Sequence, residues 1–219
     1  MGAITRAAAN NITTGGVILP AGINDASVAS ITALAQVSAG DGITLISSQT
    51  ASASASLSFT TGIDSTYRTY LFKFINMHPA TDTAKFVFNL STDGGSNYNV
   101  TKTSTFFQAY HDEADTVTSL NYDGSHDLAQ GTGYQDMHTS GIGNGADESL
   151  SGYMYLFSPS SSTFVKHYLV NNNIYFSADY TINSFIGGYG NTTSPINAVD
   201  FKMSSGNIDA GTILMYGIN

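Results

Sequence analysis

From residue 43 onward, apolar and polar residues alternate with a period of two, and this pattern constrains the fold more than any other feature of the chain. Leu57 and Phe59 alternate with Ser and Thr, and similar short runs recur up to residue 218. Because successive side chains of a β-strand point to opposite faces of the sheet, each run predicts a half-buried strand.

The composition also favours strands over helices. Charged residues make up 11% of the chain, less than half of the usual quarter. The 12 Phe and 13 Tyr residues suit a pleated, half-buried surface. The sequence therefore predicts an all-β protein, an antiparallel β-sandwich of jelly-roll type, with strands over 43–48, 56–60, 70–75, 86–91, 98–107, 150–157, 163–170, 174–178, 181–186, 197–203 and 212–218.

The same pattern predicts details of the strand arrangement. The strand over 70–75 is apolar on both faces, which predicts a central position in its sheet. Asp93-Gly94-Gly95 is typical of a turn with positive φ and predicts a hairpin between the strands 86–91 and 98–107. A further turn is predicted at 171–173, which is a run of three Asn. The last run predicts a C-terminal strand that belongs to the sheet.

Alternation stops between about residues 111 and 148, a segment rich in Asp, Gly, His and Ser. A loop of this length inside a compact domain is usually functional or an insertion. Sugars stack on exposed aromatic rings beside amide groups, so the loop is a candidate receptor or glycan site. The alternative is that its rings pack in the core or anchor the loop. The candidate site residues are Tyr110, Tyr122, Tyr134, Asn121 and Gln135.

Metal binding and catalysis have few candidates in this sequence. Asp123-Gly124-Ser125 resembles the start of a calcium loop, which makes Asp123 and Asp127 the candidate ligands. Because the spacing completes no calcium or zinc motif, the favoured interpretation is a surface loop rich in Asx turns, with no bound metal. No nucleophile–base motif is recognisable, so we expect no enzyme activity and no cofactor.

The charge of the chain argues against two classes of partner. The formal net charge is −9, and Lys and Arg together number 7. Nucleic acids and anionic membranes attract basic surfaces, so neither is an expected partner. The chain has no Cys and therefore no disulfides, and no apolar run approaches the length that spans a bilayer.

Residues 1–42 differ from the rest because they contain no aromatic residue. Their apolar positions fit either a short capped helix or an extended arm that docks on a partner chain or on its own domain. We predict an arm for attachment and oligomerisation over 1–42 and the sandwich domain over 43–219. The candidate contact residues of the arm are Val17, Ile18, Leu19, Pro20, Val28, Ile31 and Leu34.

An ordered series of short motifs resembles one group of proteins. The motifs are residues 12–20, 22–28, 65–67 leading into 72–76, 91–98, 157–161, 205–208 and the C-terminal Gly-Thr-Ile-Leu-Met-Tyr-Gly-Ile over 211–218. Each combines turn residues with strand alternation, and their order resembles that of small structural proteins of tailed-phage virions, cyanophages among them. The likeness covers nearly the whole chain.

The resemblance implies a non-enzymatic β-sandwich protein on the particle surface, made in the host cytoplasm and attached through its N-terminal arm. It also implies a homotrimer that contacts other virion structural proteins and, if the loop recognises a receptor, a host surface glycan. A tail fibre or similar appendage is the first interpretation. A capsid cement or decoration protein and a carbohydrate-binding or receptor-binding module are the alternatives.

Overall fold

The computed structural model describes residues 42–219, which belong to one compact unit. Residues 1–41 of the predicted arm, which include its seven contact residues, lie outside the described residues. Within the described range all regular structure is β, so no helix there is long enough to cross a bilayer. The strands are β1 (Ile43–Thr50), β2 (Leu57–Phe59), β3 (Thr69–Pro79), β4 (Phe86–Ser91), β5 (Lys102–Asp112), β6 (Thr118–Tyr122), β7 (Gln135–Asp136), β8 (Leu150–Phe157), β9 (Lys166–Phe176), β10 (Tyr180–Gly190), β11 (Ala198–Met203) and β12 (Ile208–Ile218).

These strands form two antiparallel sheets that pack face to face, which confirms the predicted sandwich. The large sheet has the order β1-β12-β3-β8-β9-β10-β5-β6, and the small sheet has the order β2-β11-β4-β7. Two predictions about position are confirmed, because β3 lies between β12 and β8, and β12 lies between β1 and β3.

The core between the sheets is rich in aromatic rings. Phe201 on β11 is fully buried and lies at the centre of a cluster of Phe side chains. Its ring centroid lies between 5.2 and 6.3 Å from those of Phe59, Phe72, Phe74, Phe86 and Phe88. Edge-to-face and offset contacts of this kind stabilise a core beyond the area that they bury.

The predicted hairpin between the strands 86–91 and 98–107 is wrong. The turn forms, with positive φ at Gly94 and Gly95, but β4 lies in the small sheet and β5 in the large one. After the turn the chain crosses the outer face of β4, where the Asn89 amide donates to the carbonyl of Tyr98 over 2.6 Å. The segment thus covers the small sheet before the chain enters the large one.

The predicted turn at 171–173 is also wrong, because β9 continues through all three Asn residues. Asn171 donates to Asn183 over 3.0 Å, and Asn173 donates to the Thr181 hydroxyl over 2.8 Å. The middle one, Asn172, points into the core, where its amide donates to the carbonyl of Met137 over 2.7 Å. Cross-strand and core hydrogen bonds therefore engage the NH₂ groups of Asn171, Asn172 and Asn173, a residue type that favours turns when it has no such partners.

Candidate functional site

The outer face of the large sheet carries exposed aromatic and aliphatic side chains on neighbouring strands. Along β5, for example, Phe106 is buried whereas Phe107 is 41% exposed, because alternate residues point to opposite faces. A contiguous apolar surface on a soluble protein commonly marks an interaction site. We call this surface the aromatic face, and we define it by Tyr153 and Tyr155 on β8, Leu169 on β9, Phe185 on β10, Phe107 on β5, and Leu120 and Tyr122 on β6.

Strand register aligns several of these side chains in one row across the sheet. Phe185 pairs with Phe107, and Phe107 pairs with Tyr122 on the edge strand. In the other direction Phe185 pairs with Asn171, which pairs with Tyr153. The rings of Phe107 and Phe185 stack with centroids 5.0 Å apart and planes 7° apart. The row is thus held by cross-strand contacts of the kind that stabilise sheets.

A groove crosses the aromatic face at Gly187. This residue pairs with Leu169 on the neighbouring strand and has no side chain, which leaves a gap in the row. The groove contains a cavity of about 410 Å³ bordered by Phe107, Phe185 and Tyr155. A second cavity of about 460 Å³ adjoins it towards Tyr189 and also contacts Leu169 and Gly187. These volumes lie within the range of small-ligand sites, and the groove also suits an inserted side chain.

The aromatic face carries little charge in a chain that is acidic overall. Strands β8, β9 and β10 contain no Asp or Glu, and the single carboxylate of β5, Asp112, is buried. Apart from the buried Asp112, the acidic residues that give the net charge of −9 therefore lie outside these four strands, and one of them, Asp127, accepts the Tyr122 hydroxyl at the edge of the face. Two copies of an acidic chain repel each other electrostatically. At this face the four strands present no exposed carboxylate that would add to the repulsion.

The structure divides the five predicted loop residues between different environments. Tyr122 is 57% exposed on β6 and belongs to the aromatic face, whereas the adjacent Asn121 points to the opposite face of the sheet. Tyr110 is half-buried against the core. Tyr134 donates its hydroxyl to Asp200 over 2.9 Å, and Gln135 is fully buried on β7. Of the five, only Tyr122 is therefore an exposed side chain on the aromatic face.

The long segment over 111–148 serves mainly to join the two sheets. It supplies the edge strand β6 to the large sheet and the edge strand β7 to the small one. Lys85 fastens it by donating to Asp136 over 2.8 Å and to the His126 ring over 2.8 Å. His138 is fully buried, with its Nε2 accepting the N–H of Phe86 over 2.8 Å. Burial lowers the pKa of His138 to about 4, so the ring is neutral at physiological pH.

The two candidate metal ligands form contacts within the loop. Asp123 accepts the N–H of Ser125 over 2.9 Å and lies 3.0 Å from Nδ1 of His126. Asp127 accepts the hydroxyl of Tyr122. Over residues 42–219 no group of three or more His, Asp or Glu side chains is arranged to hold a metal ion.

The contacts of the five histidines in residues 42–219 show whether any of their rings could activate a Ser or Thr hydroxyl. His78 contacts the carbonyl of Gly145, and His111 contacts Asp115. His126 contacts Lys85, His138 contacts the backbone, and the ring of His167 packs against that of Tyr189. None of these rings forms a hydrogen bond with a Ser or Thr hydroxyl of residues 42–219, so a Ser–His or Thr–His nucleophile pair is not present there.

Comparison with known proteins identifies no relative. No protein-family model matches the chain, and neither the curated proteins nor the solved structures give a match. The fold and the aromatic face, together with the sequence resemblance, are therefore the basis for a functional proposal.

Proposed function

We propose that the chain is a non-enzymatic structural protein of a tailed-phage virion, of tail-fibre or appendage type, that forms a homotrimer through its aromatic face. The order of the sequence motifs supports the virion assignment. The observation that carries the assembly is the exposed row of Tyr153, Phe185, Phe107 and Tyr122 with the groove at Gly187 beside it.

A second copy of the chain is the occupant that the charge distribution favours. The acidic surface outside the face opposes contact between copies, whereas the face itself offers aromatic and amide groups. Interface cores are likewise enriched in aromatic residues and depleted in charged ones. Three copies with this face turned towards a common axis bury it completely and form a closed, symmetric assembly.

The attachment of the assembly to the particle is a separate part of the proposal. Residues 1–42 are assigned to that contact on the resemblance alone, and other virion structural proteins are the partners. A capsid cement or decoration protein differs from an appendage only in where the arm binds. Nucleic acid and membrane lipids are not partners in either case, and no cofactor takes part.

A carbohydrate-binding or receptor-binding module is the second candidate, and the groove is the observation that favours it. Phe107, Phe185 and Tyr155 border the cavity of about 410 Å³, and the Asn171 amide and Thr105 hydroxyl also line it. Aromatic rings beside neutral hydrogen-bonding groups suit an uncharged sugar. A trimer with this face buried and a sugar site at this face exclude each other, so one set of variants tests both.

Replacing two members of the aromatic face is expected to convert the trimer into monomers. Phe107→Thr with Leu169→Thr removes large side chains at positions 41% and 52% exposed and keeps residues that favour strands. Full burial of an exposed side chain contributes about 1.5–3 kcal/mol. Because these two side chains are about half exposed, the double variant is expected to weaken assembly by about tenfold to a hundredfold. Light scattering of the full chain across a concentration series measures this.

Phe164→Thr is the matched control, because Phe164 is 71% exposed but lies in the connection before β9. This variant is expected to remain trimeric. A wild-type chain that is monomeric at high concentration would contradict the trimer. If that monomer bound a neutral glycan and the double variant did not, the carbohydrate module would replace the trimer as the function of the face.

A further inference from the structure

Lys102 is a fully buried lysine on β5. Its Nζ donates to the carbonyl of Val100 over 2.9 Å and contacts Oδ1 of Asn89. Within residues 42–219 no carboxylate lies at salt-bridge distance from this amine. A buried ammonium group with no counter-ion is strongly disfavoured, and burial accordingly lowers the pKa of Lys102 to about 7. A large fraction of the amine is therefore uncharged near neutral pH and is a nucleophile.

Hydrogen bonds hold the side-chain amide of Asn89 in a fixed position next to this amine. The side chain is fully buried on β4, and its Nδ2 donates to the carbonyls of Tyr98 and Thr132 over 2.6 and 3.0 Å. Its Oδ1 accepts the backbone N–H of Leu90 over 2.9 Å as well as Lys102. That N–H is placed to stabilise negative charge on Oδ1 when a nucleophile attacks Cγ.

We propose that Lys102 and Asn89 condense into an intramolecular amide bond that links β5 of the large sheet to β4 of the small one. The neutral Nζ attacks Cγ of Asn89, and the N–C bond forms as the carbonyl electron pair moves onto Oδ1. The carbonyl then re-forms, the Cγ–Nδ2 bond breaks, and Nδ2 leaves as ammonia with a proton that came from Nζ. No oxidant, metal or cofactor is needed.

The transferred proton has a carrier on the neighbouring strand. Asp200 on β11 pairs directly with Asn89 and is 3% exposed. Paired residues on one face of an antiparallel sheet have Cβ atoms about 5 Å apart. Hydrogen bonds from Ser58 and Tyr134 hold the Asp200 carboxylate in place. We assign to this carboxyl the transfer of the proton from Nζ to the departing nitrogen.

Lys166 provides a comparison within the same molecule. It is also fully buried, and both lysines pair with the same residue of β10, Gly190. Its Nζ, however, donates to the backbone carbonyls of Phe164 and Thr192 over 2.7 and 3.2 Å. No side-chain amide of residues 42–219 contacts it, so Lys166 has no partner for the reaction among these residues. Burial alone thus does not distinguish the two lysines, whereas the Asn89 contact does.

Mass spectrometry of the denatured full chain tests the bond. After incubation of the folded protein at about pH 8, above the Lys102 pKa of about 7, we expect a mass one ammonia below the sequence mass. Tandem spectra of a digest are expected to contain one branched peptide that joins Lys102 to Asn89. The Lys102→Met and Asn89→Ala variants are expected to have the full mass, and Lys166→Met is expected to retain the deficit. Asp200→Asn is expected to slow formation by roughly a hundredfold.

Two results would overturn the proposal, and neither depends on a variant that folds. The first is a folded wild-type chain that keeps the full mass and yields Asn89 and Lys102 in separate peptides. The second is an ammonia deficit that maps to Asn144-Gly145, where a succinimide also forms with loss of ammonia. The outcome is independent of virion assembly, because the bond lies inside one chain.

Discussion

Phe201→Ala is expected to lower the free energy of unfolding by about 4 kcal/mol, the middle of the range for a buried Phe. Phe201 is fully buried on β11 and contacts rings from both sheets. Truncation removes its apolar surface from the core and leaves a cavity between Phe72 and Phe86. Because the surrounding rings belong to different strands, they cannot close the cavity without moving the sheets.

Urea denaturation followed by circular dichroism measures this loss, and two variants separate its causes. Phe201→Leu keeps most of the volume, so its expected cost is about 1 to 2 kcal/mol. Phe164→Ala removes an aromatic ring that is 71% exposed, and its expected effect is within about 0.5 kcal/mol. A loss below about 1.5 kcal/mol for Phe201→Ala would contradict the central position of this ring in the core.

The second large effect is a loss of stability in acid that depends on His138. Burial lowers the pKa of this histidine from its ordinary 6.5 to about 4 in the folded state. The unfolded chain therefore binds a proton below about pH 6.5, whereas the folded chain resists it until about pH 4. Stability is full above pH 6.5 and falls as the pH drops to 4, by about 3 kcal/mol at 1.36 kcal/mol per pKa unit. Protonation also removes the acceptor for the Phe86 N–H.

His138→Gln tests this pH dependence because the Gln carbonyl can accept from the Phe86 N–H and does not titrate. The expected result is a smaller fall in the free energy of unfolding between pH 6.5 and 4 than in the wild type, measured by urea denaturation at several pH values. His111→Gln is the matched control, since His111 has a side chain 47% exposed and lies 3.2 Å from a carboxylate oxygen of Asp115. Equal slopes for wild type and His138→Gln would show that this ring titrates normally.

Periodicity was sufficient to predict the sandwich because most strands of the large sheet bury alternate residues. Phe72 and Phe74 on β3 are examples, with Lys73 exposed between them. Pairing partners are set by contacts distant in sequence, and the local pattern does not contain them. The turn at Gly94 is a local feature and was predicted correctly, whereas the crossing from β4 to β5 depends on Asn89 and on Tyr98 beyond the turn.

The sequence of β8 contains a pattern that indicates the aromatic face, and the sequence analysis did not use it. Tyr153 and Tyr155 alternate with Met154 and Leu156 along β8, so this strand is apolar on both faces. The same pattern correctly predicted a central β3, but it does not distinguish a strand buried on both faces from one with an exposed apolar face. The sequence-based prediction placed the site in the acidic loop and included Tyr134, whose hydroxyl donates to Asp200.

The contact between Lys102 and Asn89 was not visible in the sequence. The two residues are 13 positions apart and lie in different sheets. A lysine in an alternating run is ordinarily assigned to the solvent face, and only the three-dimensional structure places this one in the interior. Buried polar pairs of this kind depend on tertiary packing, which no local pattern specifies.

The composition of purified phage particles tests the central claim most directly. Particles banded on a density gradient, from the culture that produces this chain, are analysed by quantitative mass spectrometry and by labelling with an antibody against residues 43–219. The account predicts a fixed ratio of this chain to the major capsid protein, with a copy number per particle that is a multiple of three. It also predicts that the antibody labels intact particles. A chain found only in the soluble lysate and absent from banded particles would contradict it.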